Sequence, residues 1–357
     1  MNPTSLAKNA HPDSGKARME ALRAVLQGRQ RLLVLTHNNP DPDSLGGAVG
    51  LQEFARKVCG VESRFAITGR ILRAENQAMV RELGIEMDRL ESIVLEDFDC
   101  FALVDTQPGF GHTFVPPNVT VDIVLDHHVC AESEGRLRDV SFADVRPDIG
   151  ATSSMMAGHL LEAGVKPSRE VATALAYGIK TDTADLSRNV SDLDLKAYDY
   201  LFPYVDRQRL VSICCPRLPA AYFQTLKDAL SKVRLYDGVT LCSLGRTTSA
   251  EMVAEVADLL LRMEGVRAVF CGGLVDNAYY MSVRTELGGD AWRLIRDAME
   301  GENGTCGGHG SVAGGTIQLG TGDSRTLKRL ERRLERNILR SMGVSGSNAA
   351  VFGDADD

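Results

Sequence analysis

Three short apolar runs in the first half of the chain, residues 32–35, 101–104 and 121–125, each break off into acids or imidazoles. Four apolar residues in a row, or five positions broken only by Asp122, are the pattern of strands buried on both faces, which a parallel sheet provides. The first run leads into Thr36-His37-Asn38-Asn39-Pro40-Asp41, the second into Asp105-Thr106 and the third into Asp126-His127-His128. In an open α/β sheet the functional crevice lies outside the carboxyl ends of the strands, so three separate segments are predicted to deliver acids and imidazoles to one edge.

A chain of 357 residues is too long for one ordinary domain and comfortable for two. The periodicity divides it accordingly: an α/β domain with a doubly wound, mainly parallel sheet over 16–205, a helical linker over 206–235 broken by Pro216 and Pro219, a smaller α/β domain over 236–342, and a polar tail over 343–357. A cleft between the two domains is expected. Helices are predicted over 17–27, after Thr152 or Ser153 as cap, and after Ser168 up to Ile179. The second half predicts strands at 239–244, 268–275, 279–284 and 316–319. It also predicts helices at 250–263, around Trp292 and at 325–340, where Leu327, Leu330, Leu334 and Ile338 form one apolar face. No stretch approaches the roughly 20 apolar residues of a membrane span, and the first residues lack a secretory apolar region, so a cytoplasmic protein with its eight cysteines as thiols is expected.

His37, Asp41 and Asp43 form a concentrated set of metal ligands directly after a strand, with Pro40 and Pro42 stiffening the turn and Gly46-Gly47 allowing close packing of the helix that follows. Taken alone this segment reads first as an ordinary turn, because Asn, Pro and Asp also build turns. The other strand ends alter that reading, since burying Asp105, Asp126, His127 and His128 is costly unless they are paired or bind metal. Asp41, Asp43, Asp105 and Asp182 together balance two divalent cations. Mixed carboxylate and imidazole ligation without thiolate suits Mn²⁺, with Mg²⁺, Co²⁺ and Fe²⁺ also compatible. Two such ions about 3.5 to 4 Å apart activate water and clamp a phosphoryl group.

The order HNNPDPD, VDT, LDHH and GIKTDT, followed by SVRTE and CGGHGSVAGG, resembles the DHH phosphoesterase superfamily with its DHH-associated substrate domain, and within it the NrnA-like nanoRNase and pAp phosphatase group related to RecJ. The resemblance extends over about residues 18–340. It implies one ion held by His37, Asp41 and Asp105 and a second held by Asp43, Asp105, His127 and Asp182, with Asp105 bridging and a hydroxide between the ions as nucleophile. It further implies His128 as a phosphate contact or proton donor, Asp126 as the group orienting a neighbouring imidazole, and Arg284, Gly307, Gly308 and His309 as substrate-binding residues. Cys306 departs from the usual first glycine of that last motif, and Thr183 to Arg188 depart from the glycine and aromatic common after the fourth.

Implied substrates are short single-stranded RNA, linear dinucleotides such as pApA or pGpG, and 3′-phosphoadenosine 5′-phosphate, handled by a homodimer. A cyclic-dinucleotide phosphodiesterase is the runner-up, followed by a pyrophosphatase or exopolyphosphatase. A non-catalytic nucleotide sensor is disfavoured because all six ligands are present. The net charge of −8 disfavours an extended nucleic-acid groove. Four of its negative charges belong to the proposed ligands and three to the tail, so acidity opposes a long duplex track and not a short phosphorylated ligand. The basic side of the helix at 325–340 reads first as a solvated face and second as an RNA-guiding surface.

Overall fold

The computed structural model describes residues 14–129, 135–247, 249–320, 322–344 and 350–351, with backbone alone for His309, Ala350 and Val351. The chain forms two compact units that meet in sequence at Pro216 and Arg217, inside the predicted linker.

The first unit runs α1 (Gly15–Leu26), β1 (Arg31–Leu35), α2 (Pro42–Phe54), β2 (Glu62–Ile67), α3 (Ala74–Leu83), β3 (Asp88–Arg89), β4 (Cys100–Val104), β5 (Ile123–Asp126), β6 (Phe142–Val145), α4 (Thr152–Glu162), α5 (Arg169–Asp182), α6 (Asp192–Leu201) and α7 (Arg207–Cys214). Its six strands form a parallel sheet in the order β3-β2-β1-β4-β5-β6. This is the doubly wound order, whose direction reverses between β1 and β4 and so opens a crevice there. Alternation along β1 sends Leu32 and Val34 into one buried cluster and Leu33 and Leu35 into another, so the strand is covered on both faces as its unbroken apolar run predicts. Register aligns the strand ends: Leu35 pairs with Leu103, and Val104 with Leu125. The residues just beyond, from Thr36, Asp105 and Asp126 onward, leave the sheet along one edge.

Three helices arrive at that edge. Asp41 caps α2, its Oδ1 accepting from the N–H groups of Asp43 and Ser44 at 3.0 Å each, while the Asp41 N–H donates to Ser44 Oγ at 2.9 Å. Ser168 caps α5 as predicted. The cap of α4 differs from expectation: Ala151 occupies the position and offers no side-chain acceptor, whereas Thr152 and Ser153 lie inside the helix with their N–H groups free for another partner. Helices α2 and α5 touch through glycine. A methyl group on Gly46 would sit 2.9 Å from the Ala174 carbonyl oxygen, and one on Gly178 would sit 3.0 Å from Asp43 Cα.

The second unit runs α8 (Ala220–Leu230), β7 (Arg234–Tyr236), β8 (Val239–Arg246), α9 (Glu251–Leu260), β9 (Ala268–Val275), β10 (Ala278–Thr285), α10 (Ala291–Ala298), β11 (Gly304–His309), β12 (Val312–Gln318), α11 (Ser324–Met342) and β13 (Ala350–Val351). The mixed sheet has the order β11-β12-β10-β9-β8-β7-β13, with only β8 and β9 parallel. Leu327, Leu330, Leu334 and Ile338 bury the predicted face of α11. The glycine-rich segment is not a loop leading to a strand. It is itself edge strand β11, pairing Gly307 with Gly314 and Gly308 with Ala313.

The α2–α5 glycine contact yields a test. Gly178→Ala would drive Cβ to 2.3 Å from Ser153 Oγ as well as into Asp43, so helix separation must increase. A loss of about 1–3 kcal/mol in urea unfolding, with weakened Mn²⁺ binding by calorimetry, is expected. Unchanged stability and affinity would show that the approach is not tight.

Candidate metal centre

Each strand end contributes through a particular local device. After β1, His37 Nδ1 is engaged by the Asn38 carbonyl at 2.8 Å, which leaves Nε2 as the free ring nitrogen, 3.6 Å from Asp105 Oδ2 and 3.9 Å from Asp41 Oδ1. After β4, Asp105 takes a left-handed backbone (φ 59°), a conformation Asp tolerates better than most residues, and its N–H donates to the Leu125 carbonyl at 2.8 Å. After β5, His127 Nδ1 meets the Ile149 carbonyl at 3.1 Å. Its Nε2 then lies 3.2 Å from Asp182 Oδ2, 3.7 Å from Asp105 Oδ1 and 3.8 Å from Asp43 Oδ2. Asp182 ends α5 and Asp43 begins α2, so the glycine contact between those helices brings the two carboxylates to one place.

All six expected ligands therefore converge. Their donor atoms fall into the sets His37, Asp41, Asp105 and Asp43, His127, Asp182, each within 4.8 Å. Asp105 and His127 recur with His128 in a third set, so Asp105 faces both sides. The fit to divalent cations rests on an orphaned atom: buried His127 Nε2 has no aligned hydrogen-bond partner although carboxylates surround it. A hard cation bound by imidazole and carboxylate satisfies it.

Further groups surround these six, and of them only Gln107 and His112 were not singled out in the sequence. Thr152 and Ser153 donate their backbone N–H groups to the two oxygens of Asp43 at 2.7 and 2.8 Å, so the amino end of α4 grips a carboxylate more than 100 residues away. Thr152 Oγ1 adds a bond to Asp105 Oδ1 at 2.9 Å. Asp126 accepts from the His127 N–H at 2.9 Å and holds His128 Nδ1 at 2.8 Å, and buried Gln107 ties Asp126 Oδ2 to the His128 carbonyl at 2.7 and 2.9 Å. His112 packs its ring edge-on to His37 with centroids 5.5 Å apart. Gln107 and His112 follow Asp105 closely in the chain, which is the one local signal that could have raised them.

Residues 31–179 match the DHH family, N-terminal domain, and residues 237–336 match the DHHA1 domain. Uncharacterized protein MJ1633 of Methanocaldococcus jannaschii is 32% identical over 95% of this chain and 73% of its own length. The chain belongs to the DHH family. It is a DHH phosphoesterase, a hydrolase of phosphoester or pyrophosphate bonds. Cyclic-di-AMP phosphodiesterase GdpP of Bacillus subtilis is 25% identical over 88% of this chain, which spans 49% of that protein's length. By fold, the DHH chain resembles an exopolyphosphatase-related protein from Bacteroides fragilis (TM-score 0.66, 16% identity, 92% of this chain and 97% of that one). It also resembles RecJ in complex with Mn²⁺ from Thermus thermophilus (TM-score 0.52, 15% identity, 94% and 56%).

In the DHHA1 unit, Arg284 is buried, with Nη1 on Ser282 Oγ at 2.7 Å and the Val283 carbonyl at 3.2 Å and Nε on Asp258. Gly307 faces open space, whereas Gly308 is left-handed at φ 150°, and a Cβ there would meet the Val312 carbonyl oxygen at 2.4 Å. Gly308 thus has a structural reason to be glycine that is separate from any ligand. The side chain of His309 lies outside the described residues. Among the described residues no helix is long and apolar enough to cross a membrane.

Proton affinity in the DHH unit is set by crowding. Burial and Asp182 push Asp43 up to about 7 from 3.8, and burial and Asp43 push Asp105 well up. Burial likewise raises Asp182. Burial alone would lower His127, but Asp182, Asp43 and Asp105 overcome it and push it up to about 11 from 6.5. Each group holds its proton more tightly folded than unfolded, so metal-free protein loses stability as pH rises from about 4 toward 11. His112, lowered by burial and by His37, opposes this near neutrality and is outnumbered. Chelator-treated protein should melt at lower temperature at pH 8 than at pH 5, and Mn²⁺ should raise Tm more at pH 8, where fewer protons must be displaced. A chelated Tm that climbs between those pH values would contradict this electrostatic account.

Proposed function

We propose that this DHH phosphoesterase hydrolyses short phosphorylated nucleotides: oligoribonucleotides of a few residues, linear dinucleotides such as pApA and pGpG, and 3′-phosphoadenosine 5′-phosphate. Two divalent ions, Mn²⁺ by preference, serve it. The observation that carries the reading is that Asp105 groups with His37 and Asp41 in one set and lies 3.7 Å from Nε2 of His127, which belongs to the other. When bound, such ions lower the pKa of water and neutralise charge on a phosphoryl group.

The chain's own residues account for the remaining tasks. His37, Asp41 and Asp105 would hold one ion, and Asp43, Asp105, His127 and Asp182 the other. Asp43 is held rigid by two backbone N–H groups, so its oxygens cannot swing away from the site. Asp126 fixes Nδ1 of His128 and leaves Nε2 open on a side chain 45% exposed, the one imidazole of the group free enough to meet a phosphate or protonate a leaving oxygen. Gln107 locks Asp126 in turn.

A second reading is favoured by GdpP, whose similarity extends through both units and whose name specifies a cyclic dinucleotide. A product-resolved assay with Mn²⁺ across 3′-phosphoadenosine 5′-phosphate, pApA, longer oligomers and cyclic-di-AMP separates the two. Mononucleotide release from the linear compounds is expected. Cleavage of cyclic-di-AMP alone would transfer the assignment to the second reading, and no release from any compound would remove both.

Replacing the shared carboxylate, Asp105→Ala, should lower kcat by more than about 1,000-fold, since it withdraws a ligand from both sets. Asp126→Asn should cost about 10- to 100-fold through His128 and shift the pH profile of kcat/KM, as loss of a group that orients an imidazole does. A wild-type pH profile in Asp126→Asn would remove His128 from proton transfer.

A further inference from the structure

Helix α11 carries seven basic and two acidic residues between positions 324 and 340, and the fold sorts them by direction. Both glutamates turn to the helix's own sheet: Glu331 accepts from Ser243 of β8, and Glu335 accepts from Arg234 and from the Tyr236 hydroxyl of β7. Arg333 and Arg340 are paired with Glu302 and Glu300. Five cations are left: Arg325, Lys328, Arg329, Arg332 and Arg336 are all exposed, and their side chains make no ion pair with any described residue. At 3.6 residues per turn they occupy an arc of about 100°, opposite the buried leucines, and extend about 16 Å along the axis.

Surface helices usually balance such cations with glutamates one turn away, at spacings of three or four. Here those glutamates are spent on the sheet. The five cations, with Ser324 and Arg333, line a depression of about 660 Å³ that contains no acidic and no apolar residue.

We propose that this face binds the phosphate backbone of single-stranded RNA. Its charge calls for a polyanion. Four of the five cations are arginines, whose forked donors match phosphate oxygens. A lipid surface would require an exposed apolar side on the helix, and Leu327, Leu330, Leu334 and Ile338 are buried in the unit's own core. A protein partner would require aromatic or apolar anchors, which this face lacks. About 16 Å accommodates roughly five phosphates at the 3.4 Å per charge of a stacked strand. The choice of RNA among polyanions rests on the function proposed above; the charge sorting does not.

The test uses the full chain in chelator, so that nothing is hydrolysed, with a fluorescein-labelled 15-nucleotide oligo(A) RNA read by anisotropy. For five contacts the slope of log K against log salt is expected near about −3.5. The variant Arg325→Gln/Arg329→Gln/Arg332→Gln/Arg336→Gln should flatten it by about 2.8 and weaken binding at least about tenfold at low salt. Manganese-dependent cleavage of pApA by the same variant should stay within about twofold of wild type, which also shows that it folds. Equal RNA affinity and slope in both proteins would overturn the proposal. So would wild-type binding to phosphatidylglycerol vesicles without binding to RNA. If neither protein cleaves pApA, the proposed function fails, and the anisotropy arm, backed by matched melting curves, still decides this surface.

Discussion

The grip of the α4 amino terminus on Asp43 is the interaction on which the first unit's site depends. A fully buried carboxylate without donors costs several kcal/mol, and here two backbone N–H groups that α4 leaves free meet its two oxygens. That bond joins α4 to α2. Ser153 Oγ then touches the Asp43 carbonyl at 3.2 Å, in the space that the absent side chain of Gly178 leaves on α5. Three helices are thus held to one another at a point from which Asp43 and Asp182 both reach His127. The same contact explains why Gly46 and Gly178 sit in the middle of helices, where glycine is otherwise unfavourable.

Topology supplies the other half of the site. Because winding reverses between β1 and β4, the crossover connections diverge there, and His37 and Asp105 follow the ends of these neighbouring strands. The left-handed turn at Asp105 fits this position. An extended residue would continue β4, whereas the turn stops the strand while its N–H still pairs with Leu125.

How much of this was legible follows from what is local. The apolar runs and the polar residues after them are contiguous in sequence, so the parallel sheet could be read, and with it five of the six converging side chains; Asp182, at the end of α5, follows no strand. The cap of α5 could be anticipated from Ser168 for the same reason, whereas Asp41 was read as a ligand and its capping of α2 was not. Thr152 and Ser153 could not be resolved, because a capping residue and a residue presenting free N–H groups look alike until Asp43 is brought to them. Strand β2 was missed because it opens Glu62-Ser63-Arg64, and β6 because only Phe142 and Ala143 are apolar at its start. Strand β11 was not anticipated because glycines at 304, 307 and 308 erase the period-two pattern by which a strand declares itself. The break between units at Pro216 lies inside the predicted linker, where two prolines interrupt the helical pattern.

The two units concentrate opposite charges. Four aspartates converge in the first unit, and burial resists ionisation of Asp43, Asp105 and Asp182, so a phosphate gains little there until divalent cations reverse the local sign. Affinity for a phosphorylated ligand that precedes or outlasts metal binding must therefore come from elsewhere in the chain. Arg284 is already engaged by Asp258, Ser282 and a carbonyl, and it would have to give up one of these to take a phosphate. The exposed cations of α11 make no ion pair with any described residue. A chain of net charge −8 that leaves five cations of one helix unpaired among the described residues has separated its charges, and that separation lets an acidic metal site coexist with attraction for a polyanion.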